Sequence, residues 1–170
     1  MLAPIRGAFA EPLLWVQPRW LRREFELRAG RDVVATLRGS SLFGAGAVGE
    51  TAEGRYRIRL ANLWRGTVVV HPGDSDTELA VFQPRLLGGG TVRFSGGRTF
   101  HIRRPDFWRS RWVLEDETGA TLFTLRSRHH LLREQAGVEL APGAERVPEL
   151  PVLLLLAWHA RLRAHRRHAH

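Results

Sequence analysis

At 170 residues the chain is long enough to bury a core of its own without metal or disulfide staples. It contains no cysteine, which excludes a disulfide framework, a thiolate nucleophile and any thiolate metal site. The formal charge is +9 and all 26 lysine-or-arginine positions are arginine; so one-sided a ratio is more simply a coding bias of a GC-rich genome than a demand for guanidinium at each position, although the net field still favours anionic partners.

In chain order, Met1 to Gly7 lacks the unbroken apolar core of a secretory signal, and Glu11 and Pro12 interrupt its continuation. A cytoplasmic protein is expected, with a peripheral membrane location left open. Leu13-Leu14-Trp15-Val16 reads as a first strand. Arg23 to Arg28 alternates, turns at Ala29-Gly30 and returns through Val33 to Leu37. Ala47 to Thr51 pairs with Arg55 to Leu60 around Glu53-Gly54; in the second of these Tyr56, Ile58 and Leu60 share one face and three arginines the other, so one face is buried and one wet. Thr67 to Val70 meets Glu78 to Phe82 across His71-Pro72-Gly73-Asp74. Thr91 to Phe94 meets Thr99 to Ile102, and Trp112 to Glu115 meets Thr121 to Leu125. A last, weaker segment surrounds Gly137-Val138-Glu139-Leu140. Turn signals every ~8–12 residues are those of an all-β barrel or sandwich, here of about twelve strands.

Pro148-Glu149-Leu150-Pro151 then opens a helix, proline being tolerated in the first turn and Glu149 suited to the positive end of the dipole. The helix is predicted to run to about Arg166. Its first half, Leu150 to Trp158, is apolar all round and must be enclosed on every side. Its second half, with His159, Arg161, Arg163 and Arg166, is expected to emerge into solvent. The apolar part falls far short of the ~20 residues that span a bilayer. An eight-stranded barrel has room only for its own side chains, whereas a helix is ~10–12 Å across and needs a wider wall. The expected fold is therefore all-β with one helix: a closed antiparallel barrel of about twelve strands enclosing a C-terminal hydrophobic α-helix. One domain is expected over residues 1–170, with strands over about 12–140, the central helix over about 148–166 and a basic tail over 161–170.

Two hairpins echo each other: Phe25-x-Leu27-x-x-Gly30 followed by Val34-Ala35-Thr36-Leu37, and Trp112-Val113-Leu114 followed by Gly119-x-x-Leu122-Phe123-Thr124-Leu125. With the hairpin series and the terminal helix, the chain resembles the tubby C-terminal-like superfamily, in its LURP-one-related and phospholipid scramblase branch, over residues 12 to about 166. The resemblance implies a twelve-stranded barrel around a C-terminal helix and a domain that binds or tethers rather than catalyses. Scramblases also carry a cysteine cluster and an acidic calcium-binding segment. Here cysteine is absent and only Glu139, Glu145 and Glu149 lie near the helix, so neither calcium binding nor scrambling is carried over. No segment matches the phosphoinositide-binding residues of tubby proteins.

Several residue groups bear on function. Gly44-x-Gly46-x-x-Gly49 matches a dinucleotide fingerprint, but a strand comes after it where a helix is required, and glycines at a bulge or bend account for it better. His71 with Asp74, Asp76 and Glu78 suggests a metal site of incomplete spacing, more simply a turn. His165 and His168 share a helical face without an evident third ligand. The segment Arg103-Arg104-Pro105-Asp106-Phe107-Trp108-Arg109-Ser110-Arg111-Trp112 mixes arginines with aromatics that stack bases or sit at a headgroup interface. The helix tail adds Arg161, Arg163, Arg166 and Arg167, in a stretch with no acid.

No nucleophile elbow, zinc-protease helix or phosphate loop is found. The expectation is a non-enzymatic binding or tethering module, monomeric, with no cofactor and no metal. It engages an anionic membrane surface through Arg103, Arg104, Arg109, Arg111, Arg161, Arg163, Arg166 and Arg167. The alternatives are a nucleic-acid binder using residues 103–112, or a carrier of a small apolar ligand beside the central helix; no protein partner is implied.

Overall fold

The computed structural model describes residues 1–7, 11–39, 46–105, 111–130 and 133–168, the side chains of 129, 130, 133, 167 and 168 excepted. Twelve strands run in order: β1 (Leu13–Val16), β2 (Glu24–Ala29), β3 (Asp32–Gly39), β4 (Gly46–Thr51), β5 (Gly54–Asn62), β6 (Thr67–Pro72), β7 (Ala80–Pro84), β8 (Gly90–Phe94), β9 (Thr99–Arg103), β10 (Arg111–Glu115), β11 (Thr121–His130) and β12 (Arg133–Leu140). Each is antiparallel to its sequence neighbours, and β1 closes on β12 through Leu13 opposite Val138. Closure leaves the sheet without an open edge. The helix, α1 (Leu150–His168), comes after the last strand.

Alternation does most of the work of placing side chains. In β2, Phe25, Leu27 and Ala29 face inward while Glu24, Glu26 and Arg28 face out. The alternation breaks in the two hairpins that echo each other, and it breaks in the same way. Pairing jumps from Leu27–Ala35 to Arg28–Val33, and from Leu114–Phe123 to Glu115–Thr121. Each jump is a bulge that turns two successive residues inward, Val34 with Ala35 and Leu122 with Phe123. The adjoining turns rest on Gly30 and Gly119, both at positive φ. The sequence echo is thus a repeated bulged hairpin.

Every residue of α1 from Leu150 to Leu162 is buried. Leu155 faces β4 at Gly49, where an added Cβ would lie 2.6 Å from its Cδ1. Trp158 stacks on Trp15 of β1 at 5.2 Å and meets the edge of Phe25 of β2 at 5.6 Å. With β3 and β10 also packed on α1, strands on separate sides of the wall close on one helix. Gly49 accounts for part of the glycine motif differently from the expectation of a bulge or bend: pairing on both sides of β4 is uninterrupted, and the missing side chain is what lets the helix in. Gly44 lies outside the described residues.

Boundaries differ in three places. His71 and Pro72 continue β6, and β7 starts at Ala80, because Glu78 lies in the connection. The β11–β12 hairpin is much longer than the apolar pattern suggests: Arg126 and Arg128 are accommodated on the outer face while Leu125, Ala136 and Val138 are buried. That longer hairpin raises the wall around the second half of α1.

Candidate binding site at the helix-exit rim

In an up-and-down barrel successive hairpins alternate between the two ends. The β1–β2, β3–β4, β5–β6, β7–β8, β9–β10 and β11–β12 connections share one end, here the upper rim. The other five connections and the segment leading into α1 share the lower rim. The helix starts at the lower rim, where Glu149 pairs with Arg98 of the β8–β9 connection at 2.9 Å. It leaves at the upper rim, where His159, Arg163 and Arg166 border a pocket with Arg23, just ahead of β2, and with the facing ends of β3 and β4. The pocket holds about 20 Å³, room for one water, and no carboxylate among the described residues lines it.

The electrostatics of this mouth come from crowding cations in a half-dry place. Burial lowers the Arg166 pKa and the nearby Arg23 lowers it further, with Glu134 opposing both. The His159 ring is pushed down from its ordinary 6.5 to about 3, first by burial and then by Arg163 and Arg166. A neutral imidazole and the mutually repelling Arg23 and Arg166 guanidinium groups thus border a space that an anion would stabilise, with Arg163 beside them.

Arg161 corrects the expectation that the second half of α1 is solvated. It is 2% exposed. Its Nη1 donates to Glu134 Oε2 at 2.9 Å, its Nε and Nη2 donate to Ser127 Oγ, and its guanidinium lies 4.8 Å from the Trp158 ring centroid. His159 is likewise buried. The cause is the tall β11–β12 hairpin, which carries Ser127 and Glu134 up alongside the helix. The His165 ring and Arg161 together hold the Glu134 carboxyl down at about 2; the Arg161 contact is the shorter and drier, 2.9 Å against 3.5 Å to His165 Nδ1. Arg161 is thus a buried structural cation, unsuited to meeting a headgroup. Arg163 and Arg166 border the mouth, and the Arg167 side chain lies outside the described residues.

The arginine-aromatic segment is dispersed by strand alternation. Arg103 sits on the outer face of β9 and pairs across the sheet with Glu115 at 2.8 Å. Trp112 points into the core, which removes it as a base-stacking platform. Arg104 covers its ring at 4.8 Å. Arg111 is half-buried on the outer face of β10, and residues 106–110, with Asp106, Phe107, Trp108, Arg109 and Ser110, lie outside the described residues.

The remaining candidates resolve into structure. His71 is buried with Nδ1 donating to Thr77 O at 3.1 Å, and Arg57 clamps the same connection by donating to Gly73 O and Ser75 O. No group of three metal-ligating side chains exists among the described residues. His165 pairs with Glu134, and the His168 side chain lies outside the described residues. Sequence reading missed Arg23 and His159 at the mouth, because only closure of the barrel brings β2 beside the helix exit. Among the described residues no helix is long and apolar enough to cross a membrane. No family model, curated protein or solved structure matches the chain.

Proposed function

We propose that this protein is a non-enzymatic, tubby-like binding module that engages anionic lipid headgroups at a membrane surface through its upper rim. The observation that carries the reading is the mouth itself: Arg23 and Arg166 converge, beside Arg163, on a pocket bordered by no acid among the described residues, while Glu134, the carboxylate that acts on Arg166, is committed to Arg161 and His165. Arg23 and Arg166 repel each other until an anion arrives, and an anionic surface supplies anions at high local density. Each arginine held near such a surface contributes about 1 kcal/mol.

Vesicle co-sedimentation tests this. Binding to phosphatidylserine-containing vesicles is expected to weaken as salt rises and to fall about 100-fold in the R23A/R163A/R166A variant, from about 1 kcal/mol per arginine. Equal binding to neutral and acidic vesicles would remove the proposal. A salt-dependent shift with single-stranded RNA or DNA, without vesicle binding, would favour nucleic acid instead.

A further inference from the structure

Arginines alone hold a protein against headgroups without entering them, but the upper rim carries a second kind of side chain. Apart from Met1, the exposed large hydrophobic residues among those described are Trp20, Leu21, Leu63, Trp64, Leu86 and Leu87. They form three adjacent pairs, in the β1–β2, β5–β6 and β7–β8 connections, and all three connections lie at the upper rim. Trp64 is 98% exposed and Leu87 equally so. Each pair abuts arginine in sequence: Arg19 and Arg22, Arg65, and Arg85. The lower-rim connections have no such pair, and their bulkiest apolar residues, Leu79 and Val147, pack against the core.

Part of the backbone beneath these side chains is already paired within the turns. Asn62 Oδ1 accepts from the N–H groups of Trp64 and Arg65, both at 3.0 Å, and Gly66 N–H donates to Asn62 O. Gln17 Nε2 donates to the carbonyls of Trp20 and Arg22. Arg85 N–H donates to Gly89 O, and Gly88 N–H to Arg85 O. Each backbone group paired in this way lowers the cost of taking the turn out of water.

Resting on the membrane reading above, we propose that the upper rim enters the interfacial layer of an anionic bilayer end-on. The Trp20-Leu21, Leu63-Trp64 and Leu86-Leu87 tips reach the headgroup–acyl boundary and the adjoining arginines stay at headgroup level. Charge complementarity selects this occupant: among the described residues these three connections and Arg104-Pro105 carry arginine and no acid. Apolar pairs spaced around a ring and separated by cations suit a lipid interface, where tryptophan and arginine both settle.

The test uses the full chain with phosphatidylserine vesicles containing phosphatidylcholine brominated along its acyl chains. Bromine is expected to quench tryptophan emission on binding, and W20F/W64F is expected to weaken that quenching while binding persists, since Trp15, Trp112 and Trp158 are buried. The variant L63S/W64S/L86S/L87S is expected to keep its melting temperature and lose about tenfold in vesicle affinity. Salt-sensitive binding without quenching, or with unchanged affinity in the serine variant, would overturn insertion and leave headgroup binding standing. Absence of vesicle binding would overturn both. A concentration-dependent dimer abolished by the serine variant, with vesicle binding unaffected, would assign the rim to a second copy and overturn the proposal.

Discussion

The two rims of the barrel are closed by hairpins of the same strands, yet their connections differ in almost every respect. The lower rim carries Glu53, Asp74, Asp76, Glu78, Asp116, Glu117, Glu145 and Glu149 against Arg31, Arg98 and Arg146. The described upper connections carry Arg19, Arg22, Arg23, Arg65, Arg85 and Arg104 and no acid. The wall does not impose this difference, because strand packing constrains inward side chains and leaves connections free to vary. An excess of arginine from coding bias would fall on both ends alike. The lack of any acid beside the arginines of the described upper connections, together with the apolar pairs, is the part of the composition that bias does not explain.

Substitutions at matched places should separate the rims. The largest effect on stability is expected at the upper buried pair: Glu134→Ala leaves Arg161 uncompensated in the core and should lower unfolding stability by about 3 kcal/mol in urea titration, whereas Arg161→Met should cost clearly less, since Glu134 can rehydrate. Next comes the waist that both rims share. Gly49→Ala forces Leu155 of the helix to move and should cost about 2 kcal/mol by the same measurement.

Acid should act through the upper rim. The unfolded chain takes up a proton on His159 near pH 6.5 that the folded chain refuses until about 3, so that part of the stability is complete above 6.5 and is lost on acidification, by roughly 1 kcal/mol per pH unit. His159→Gln should flatten thermal melts between pH 6.5 and 5. Glu134 adds a second loss lower down, because its stabilisation is complete above its ordinary 4.5 and disappears as pH falls towards 2. The smallest effect belongs to the lower rim: Arg98→Ala removes a pair in which the Arg98 side chain is close to half exposed and should cost under about 1 kcal/mol. A lower-rim loss as large as that of Glu134→Ala would erase the asymmetry.

Much of this fold is written locally. Period-two alternation in β2 and β5, glycine turns and the nine-residue apolar run before His159 fix the strand series and require a wall wide enough for a helix. The upper half of α1 was not legible, because His159 and Arg161 are polar in any local reading and their burial depends on Ser127 and Glu134 rising beside them from a distant hairpin. Arg126 and Arg128 hid that hairpin by interrupting its apolar pattern on the outer face. The mouth was half legible: Arg163 and Arg166 stood out in the tail, while Arg23 belongs with them only once β1 has closed on β12. The rim pairs were invisible for a related reason. Trp20-Leu21 and Leu63-Trp64 look like unrelated exposed residues until strand order places them on one circle.

The seam between β1 and β12 has a kinetic consequence. Leu13 and Val138 pair from opposite ends of the strand series, and the helix that fills the cylinder is the last element of the chain. Until both arrive, two unpaired margins and a leucine-lined trough stand open to water and to other chains. Such long-range closure makes for slow refolding, and a nascent chain halted before Leu150 is the species most exposed to aggregation.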